Sequence, residues 1–501
     1  MLDESCLGPL VKTFEFGDAY FVYDVNTNQI VEVERTVYDV IDHWRGGELL
    51  IDQKAIGRDY TEGEIDKAVE AIKGAIDEHG LFSSHRPKRL SMGIYSGEDV
   101  KRLYEGGFPQ MVLELTMECN LSCRYCQVSG HYSKPGTHSL HMSREMMFKA
   151  IDFYCEKSKG SEYSHISFYG GEPLLKFDLI KEAVEYVTAK SEGSKYTFSF
   201  TTNGTLFNKE MIDFFINHDF GLLVSLDGPK SMHDRYRVFQ DGGGTFDTII
   251  KNLEFIREYD RDYFDRNVSV TCVVAPPFDN LDDLFGFFSS NPLFKDKRER
   301  GKVRASFVDS RETDFLKDIG LEKASLSSSG IAEQFTERFK RSLLERNYHF
   351  MSIEKGFVFP IIYSLARRKI RKVGDYIAPN GACQLGGRRF FVRTNGDIEV
   401  CEKGGSDYRL GNVEKGFDYE LIASYYRKME ERMQDCVNCW AMHYCSRCWV
   451  QVGDLDKFEG EVKTRFCETN KAIVLKAFKV YVDLLQKDPD CLKVFKDISV
   501  S

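Results

Sequence analysis

The sequence lacks the features that mark membrane and secreted proteins. It has no uninterrupted apolar run close to the roughly 20 residues that a membrane-spanning helix needs. Its acidic start, Met1 to Glu4, lacks the basic and apolar regions of a signal peptide. We therefore expect a cytoplasmic protein with no membrane partner.

An excess of basic residues is also missing. Lys and Arg number 68 against 78 Asp and Glu, which gives a formal net charge of -10. Nucleic acid binding relies on a basic face, so this charge argues against DNA or RNA as a partner. At 501 residues the chain is too long for one ordinary core, and we expect two or three domains.

The first ninety residues predict a small unit in which strands precede helices. Asn26 to Asn28 have turn chemistry, and Thr61 with Glu64 forms a capping-box pattern before a helical repeat. The predicted strands are 12–16, 19–25 and 29–34. This order is typical of a winged-helix-like module.

From Pro109 onward, short β-rich runs alternate with helical stretches. The predicted strands are 112–116, 165–169, 197–201, 221–226, 268–274 and 303–308. This alternation predicts an α/β fold with a parallel sheet, curled into a partial (β/α)6 barrel. In such a fold the active site lies at the carboxyl ends of the strands. A helical connector, a cysteine-dense segment and a closing helix over 471–486 are expected to follow.

Fourteen cysteines in a chain without an export signal favour metal ligation over disulfides. Cys119, Cys123 and Cys126 directly follow the first predicted barrel strand. A loop with this spacing can hold a [4Fe-4S] cluster and leave one iron without a protein ligand. A zinc site, or scattered buried cysteines, is the alternative.

With Tyr125 before the last cysteine, this triplet resembles the motif of the radical S-adenosylmethionine (SAM) superfamily. The resemblance implies a catalytic [4Fe-4S] cluster on Cys119, Cys123 and Cys126, with SAM as cofactor. It also identifies residues expected to bind SAM. These are Tyr125, the Gly170-Gly171-Glu172-Pro173 motif for the amino group, Asn203 as pocket lining, and Ser225 with Arg237 for the carboxylate. A plain turn at 170–173 and a surface salt bridge at Arg237 are the structural alternatives.

Seven later cysteines resemble the SPASM domain, an auxiliary-cluster module of peptide-modifying radical SAM enzymes. The resemblance implies two further [4Fe-4S] clusters, an outer one on Cys436, Cys439, Cys445 and Cys467 and an inner one on Cys383, Cys401 and Cys448. Two residues rather than three separate Cys445 from Cys448, which departs from the usual pattern. No cysteine lies shortly upstream of Cys383, so the inner cluster is expected to have an open iron or a non-cysteine ligand. A zinc ribbon on Cys436, Cys439, Cys445 and Cys448 is the competing interpretation.

The first strands, including Tyr20 to Asp24, resemble the peptide-recognition element of ribosomal peptide maturation systems. Such an element binds a leader peptide by adding it to a sheet edge. An ordinary small domain without a binding role is the alternative. The resemblance implies a ribosomally made precursor peptide with a leader as substrate, and a reductant such as flavodoxin or ferredoxin.

Among these peptide maturases, the chain most resembles those that form thioethers in sactipeptides and ranthipeptides. The resemblance divides it into leader recognition (1–90), radical SAM barrel (91–310), helical connector (311–379) and SPASM domain with a closing helix (380–501). Carbon-carbon or carbon-oxygen crosslinking, sulfatase-maturase-type oxidation and epimerisation are the enzymatic alternatives. Outside enzymes, the alternative is an iron-sulfur electron-transfer protein.

Overall fold

A computed structural model of the protein describes most of the chain. The described residues are 8–44, 56, 60–126, 141–190, 195–277, 281–299, 302–308, 329–348, 358–370, 372–378, 383–403 and 405–497. Much of the predicted connector, namely 311–328 and 349–357, therefore lies outside the described residues.

The N-terminal strands form an antiparallel sheet of three strands in chain order: β1 (Val11–Phe16), β2 (Ala19–Asp24) and β3 (Gln29–Val33). Helices α1 (Arg35–His43) and α2 (Glu62–His79) follow. The Thr61 backbone N–H donates to the Glu64 carboxylate over 2.8 Å, so the predicted capping box is confirmed. The predicted strands are confirmed too, and the winged-helix-like assignment stays a prediction.

The central sheet contains all six strands predicted after Pro109. Strand β4 (Arg89–Leu90) and helix α3 (Gly97–Tyr104) precede these six strands in the chain. The six strands are β5 (Gln110–Thr116), β6 (Ser164–Gly170), β7 (Tyr196–Thr202), β8 (Gly221–Ser225), β9 (Val268–Val274) and β10 (Val303–Phe307). Each pairs in parallel with its neighbour in chain order. The predicted parallel sheet is thus confirmed.

Helices connect these strands and cover one face of the sheet. They are α4 (Arg144–Lys157), α5 (Phe177–Lys190), α6 (Lys209–Asn217), α7 (Lys230–Tyr236), α8 (Phe246–Tyr259), α9 (Arg261–Asn267), α10 (Leu281–Ser290) and α11 (Lys295–Glu299). Alternate strand residues such as Leu113 and Phe200 pack into the core beneath them. The intervening positions are polar, and the Ser167 hydroxyl lies 2.8 Å from that of Ser199 on the next strand. The other face of the sheet is therefore suited to polar ligands.

The sheet continues into the cysteine-dense segment. Strand β11 (Tyr376–Ile377) pairs with β4, and four more strands then extend the central sheet to ten. These are β12 (Arg389–Val392), β13 (Asp397–Glu399), β14 (Arg409–Asn412) and β15 (Gly416–Phe417). Strand β12 lies parallel to β5. Arg393, just after β12, forms buried ion pairs with Glu114 of β5 at 2.9 Å and with Glu399 of β13 at 2.7 Å.

The remaining helices are α12 (Ser329–Leu344), α13 (Phe359–Ala366), α14 (Tyr419–Arg432), α15 (Trp449–Val452), α16 (Gly460–Lys487) and α17 (Val494–Asp497). The closing helix α16 begins at Gly460, earlier than the predicted Lys471, and it contains Cys467. Its Phe478 ring lies 4.6 Å from the ring of Tyr23 in β2, so the N-terminal sheet packs against this helix. In the described part of the chain, no helix has the length and apolar character required to cross a membrane.

Candidate active site

The cysteine triplet lies on the loop that leaves the carboxyl end of β5. Cys123 is buried, and Cys119 and Cys126 are half-buried. The backbone N–H groups of Ser122 and Arg124 donate to the carbonyls of Val238 and Tyr236 at 2.8 and 3.0 Å. The loop is therefore held in place by backbone hydrogen bonds to the segment that follows α7 and to its last residue.

Asn203 lies at the end of β7 and reaches the same loop. Its Nδ2 donates to Asn120 Oδ1 at 2.8 Å and approaches Cys119 Sγ at 3.7 Å. Its Oδ1 accepts from the Thr205 backbone N–H at 3.0 Å, which fixes the orientation of the amide. The structure thus brings this predicted pocket residue next to the first cysteine.

Gly170 and Gly171, at the end of β6, permit a close approach to the same loop. A Cβ on Gly171 would lie 2.2 Å from the Glu118 carbonyl oxygen, and one on Gly170 would lie 2.0 Å from that of Thr116. Gly170 also has a φ of 136°, a conformation that favours glycine. The Gly171 N–H donates to the Thr116 carbonyl at 2.7 Å. These glycines therefore position the chain that enters the cysteine loop.

Glu172 is fully buried beside Asn203. Its carboxylate accepts from the backbone N–H groups of Asn203 and Leu174 at 2.7 and 3.1 Å and from the Thr202 hydroxyl at 2.8 Å. Burial raises the pKa of this carboxyl to about 7, although these hydrogen bonds oppose the shift. Pro173 then begins a short 3-10 turn, Pro173–Lys176. The carboxylate thus joins the ends of β6 and β7.

Arg237 is held by a buried carboxylate that the sequence analysis did not identify. Its Nε lies 2.8 Å from Asp227 Oδ2, and its guanidinium carbon lies 5.4 Å from the centre of the Tyr125 ring. Asp227 also accepts from the Tyr125 hydroxyl and from the Val273 backbone N–H. Ser225 is buried at the end of β8, two positions before this aspartate. Arg237 therefore lies beside Tyr125 of the cysteine loop, and its Nη groups remain available for an anion.

We expect Asp227→Ala to lower the free energy of unfolding by about 3–5 kcal/mol, because it leaves the buried Arg237 charge uncompensated. Urea denaturation of the two proteins measures the loss. Asp262→Ala is the control, since Asp262 forms an exposed pair with Arg266 at 2.9 Å and is expected to cost less than about 1 kcal/mol. Equal losses in the two variants would contradict the role given to Asp227.

The second cysteine set divides into two groups. Cys383 is exposed, and Cys401 and Cys448 are half-buried. Trp449, next to Cys448, donates its indole N–H to the Cys383 carbonyl at 2.7 Å. Burial raises the pKa of Cys401 to about 11, and the charge of Cys448 adds to that shift. These three cysteines, the predicted inner set, therefore lie in one neighbourhood.

The four cysteines of the predicted outer set surround one cavity. They are Cys436, Cys439, Cys445 and Cys467, and they share its wall with Arg447, Lys463 and Lys471. Burial raises the pKa of Cys445 to about 11, and the charges of the other three cysteines add to the shift. In the residues that the structure describes, no three His, Cys, Asp or Glu side chains are gathered as a site for a single metal ion.

The donor sets fit iron-sulfur clusters. Thiolates are the ligands of [4Fe-4S] clusters, and the structure holds three cysteines on one loop and four around one cavity. Asp227 and Arg447 belong to these sites, and the sequence analysis missed both. The signals available were the position of Asp227 two residues after Ser225 and that of Arg447 between two cysteines.

Comparison with known proteins bears on this site. Residues 113–287 match the family described as the Radical SAM superfamily. The radical SAM cyclopropyl synthase TigE of Paramaledivibacter caminithermalis is 21% identical over 92% of this chain and 92% of its own length. A cysteine-type anaerobic sulfatase-maturating enzyme of Clostridium novyi is 26% identical. That match covers 36% of this chain and 47% of the length of that enzyme.

Solved structures share the fold. Native anSMEcpe with bound AdoMet superposes with a TM-score of 0.57 over 78% of this chain and 100% of that chain, at 18% identity. The same enzyme with bound AdoMet and the Cp18Cys peptide superposes with a TM-score of 0.55, again over 78% of this chain and 100% of that chain, at 17% identity.

Proposed function

Since residues 113–287 match the Radical SAM superfamily, we propose that the protein is a radical SAM peptide maturase that forms thioether bonds from the cysteines of a ribosomally made precursor. The observation that carries this proposal is the inner cysteine set. It offers three thiols, Cys383, Cys401 and Cys448, where a fully protein-bound [4Fe-4S] cluster takes four. A cluster held by these three thiols would leave one iron open for the thiolate of the substrate.

In this function, the residues around the cysteine loop bind and orient SAM. Cys119, Cys123 and Cys126 would hold a [4Fe-4S] cluster, which would supply the electron for reductive cleavage of SAM and so for hydrogen abstraction from the peptide. The Nη groups of Arg237 donate to the methionine carboxylate, and their planar fork suits two-point binding. Asp227 fixes Arg237 through its Nε, which leaves those groups directed toward the ligand.

Further residues complete the proposed SAM pocket. Ser225 adds a hydroxyl near the carboxylate, and Tyr125 packs against the guanidinium. Gly170 and Gly171 hold the cysteine loop close, and Glu172 with Pro173 fixes the strand end that offers its carbonyls to the amino group. Asn203 orients the wall next to Cys119. These groups come from the ends of neighbouring strands of the central sheet.

The N-terminal unit, residues 1–90, is proposed to bind the leader peptide. Within the described residues, β3 has β2 as its only strand partner, so one edge of this sheet offers unpaired backbone groups. A leader peptide added there would form backbone hydrogen bonds with β3. We further propose that residues 380–501 form the SPASM domain with two auxiliary clusters, that 91–310 form the barrel with 311–379 as connector, and that flavodoxin or ferredoxin supplies electrons.

Carbon-carbon bond formation is the second candidate function. It is favoured by the similarity to the cyclopropyl synthase TigE, which covers 92% of both chains. Sulfatase-maturase-type oxidation is less well supported, since the similarity to the Clostridium novyi enzyme covers 36% of this chain.

Mass spectrometry of the short cysteine-containing peptide encoded nearest this gene distinguishes these reactions. The peptide is incubated anaerobically with the reconstituted enzyme, reductant and SAM. Loss of two hydrogens for each bond, with cysteines that resist alkylation, would support thioether formation. The same loss with cysteines that can still be alkylated would favour carbon-carbon or carbon-oxygen bonds. If the backbone of that product fragments at every residue in the mass spectrometer, the new ring lies within a single residue. An unchanged mass in ordinary water, together with deuterium uptake when the reaction is run in heavy water, would indicate epimerisation.

We expect Gly171→Ala to reduce SAM cleavage by roughly 100-fold, the scale of a misplaced reacting group. The new Cβ would force the Glu118 carbonyl, 2.2 Å away, to move and would displace the cysteine loop. Chromatographic measurement of 5'-deoxyadenosine checks this. Gly74→Ala is the matched control, because no atom lies within 4 Å of a Cβ at this position in α2. Similar activity in the two variants would contradict the positioning role of Gly171.

A further inference from the structure

Arg447 is a buried cation in the wall of the four-cysteine cavity. It lies between Cys445 and Cys448 in the chain, and its residue surface is 2% exposed. It faces the cavity with Cys436, Cys439, Cys445 and Cys467. Its Nη1 has no hydrogen-bond partner.

No carboxylate of the described residues forms an ion pair with Arg447. Asp435, the acidic residue next to Cys436, is paired with Lys463 at 2.6 Å. Arg432 is paired with Glu459 at 2.6 Å. Asp435 and Glu459 are therefore engaged with other cations.

A buried guanidinium without an anion is strongly destabilising, so the charge of Arg447 requires a partner. The cavity offers one, since its four cysteines act as thiolates when they bind a cluster. Arg447 shares the wall of the cavity with all four of these cysteines. A [4Fe-4S] core with four thiolates carries net negative charge, and reduction increases it.

We propose that Arg447 is the counter-charge of the outer auxiliary cluster and raises its reduction potential by stabilising the reduced, more negative state. This rests on the proposed function, which assigns a cluster to these four cysteines. Hydrogen bonds to the sulfurs and local charge are the means by which a protein sets such a potential. With Arg447 in place, the outer cluster accepts electrons from weaker reductants.

The test measures the midpoint potential of the outer cluster by an electron paramagnetic resonance titration. In every protein compared, alanine replaces Cys119, Cys123 and Cys126, so that the catalytic cluster does not contribute to the signal. The outer signal is identified as the one that is lost when Cys436, Cys439, Cys445 and Cys467 are all replaced by alanine. Arg447→Gln deletes the charge, Arg447→Lys retains it, and Arg465→Gln deletes an exposed charge two residues from Cys467.

Arg447→Gln removes one nearby buried charge, so we expect the ratio of reduced to oxidised cluster at a fixed potential to fall by about tenfold. A tenfold change corresponds to a midpoint potential about 59 mV more negative. Arg447→Lys is expected to shift it by less than half as much, because the charge remains. Solvent screens the exposed charge, so Arg465→Gln should leave the midpoint unchanged.

Iron analysis decides the remaining cases. An unshifted midpoint in Arg447→Gln at full iron content would overturn the proposal. If Arg447→Gln loses the outer cluster, retention of that iron in Arg447→Lys would support the counter-charge, and loss in both would assign a purely steric role. If joint replacement of Cys436, Cys439, Cys445 and Cys467 by alanine removes no iron, the outer cluster itself is absent, and the cluster assignment under the proposed function fails with it.

Discussion

Alanine in place of Cys119, Cys123 and Cys126 is expected to abolish production of 5'-deoxyadenosine while leaving the other cysteine sites loaded with iron. These three thiols are the only cysteines on the loop after β5, and SAM cleavage requires the cluster that they are proposed to hold. The fold should survive, because backbone groups of Ser122 and Arg124 tie the loop to Val238 and Tyr236. Chromatography of the nucleoside products and iron analysis measure the two effects.

Cys155→Ala is the matched control for the triple variant. Cys155 is a half-buried cysteine of α4 and belongs to none of the proposed cluster sites. Its removal should preserve both cleavage and iron content. Continued 5'-deoxyadenosine production by the triple variant would overturn the assignment of the catalytic site.

Cys383→Ala is expected to preserve SAM cleavage but to lower the yield of modified peptide by roughly 100-fold, since the reacting sulfur is no longer positioned. Cys383 is the exposed member of the inner set, and its carbonyl accepts from Trp449 through the backbone. The substitution therefore removes a thiol without removing this contact. Parallel measurement of 5'-deoxyadenosine and of peptide mass separates cleavage from product formation.

Cys439→Ala provides a comparison with the outer set. Cys439 lines the four-cysteine cavity and is absent from the inner group. If the inner set binds the substrate sulfur, Cys383→Ala should impair product formation per SAM cleaved more than Cys439→Ala does. Normal product yield from Cys383→Ala would refute a role for the inner site in the reaction.

Local patterns were sufficient to predict the strands that carry the site. The runs at 197–201 and 268–274 are rich in β-branched and aromatic residues that alternate with polar ones. Both runs lie within observed strands, β7 and β9. The cysteine loop was predictable for the same reason, because its spacing is contained in one short segment. Features of this kind depend on neighbours in sequence.

Contacts between distant segments were not predictable from these patterns. The role of Asp227 depends on Tyr125 and Arg237, which approach it only in the folded chain. Likewise, no local pattern indicates that β12 pairs with β5, since each is an ordinary short apolar run. The early start of α16 at Gly460 was missed because Glu461 to Arg465 have no clear apolar repeat.

The pairing of β12 with β5 fixes how the two cysteine-bearing segments are placed in the sheet. The cysteine loop leaves the end of β5, and Cys401 follows the hairpin of β12 and β13. Adjacent strands lie about 4.8 Å apart, and the buried ion pairs of Arg393 with Glu114 and Glu399 lock this pair of strands together. The strand pairing and the buried ion pairs therefore fix the relative position of the two strands that lead to the two cysteine sites before any peptide binds.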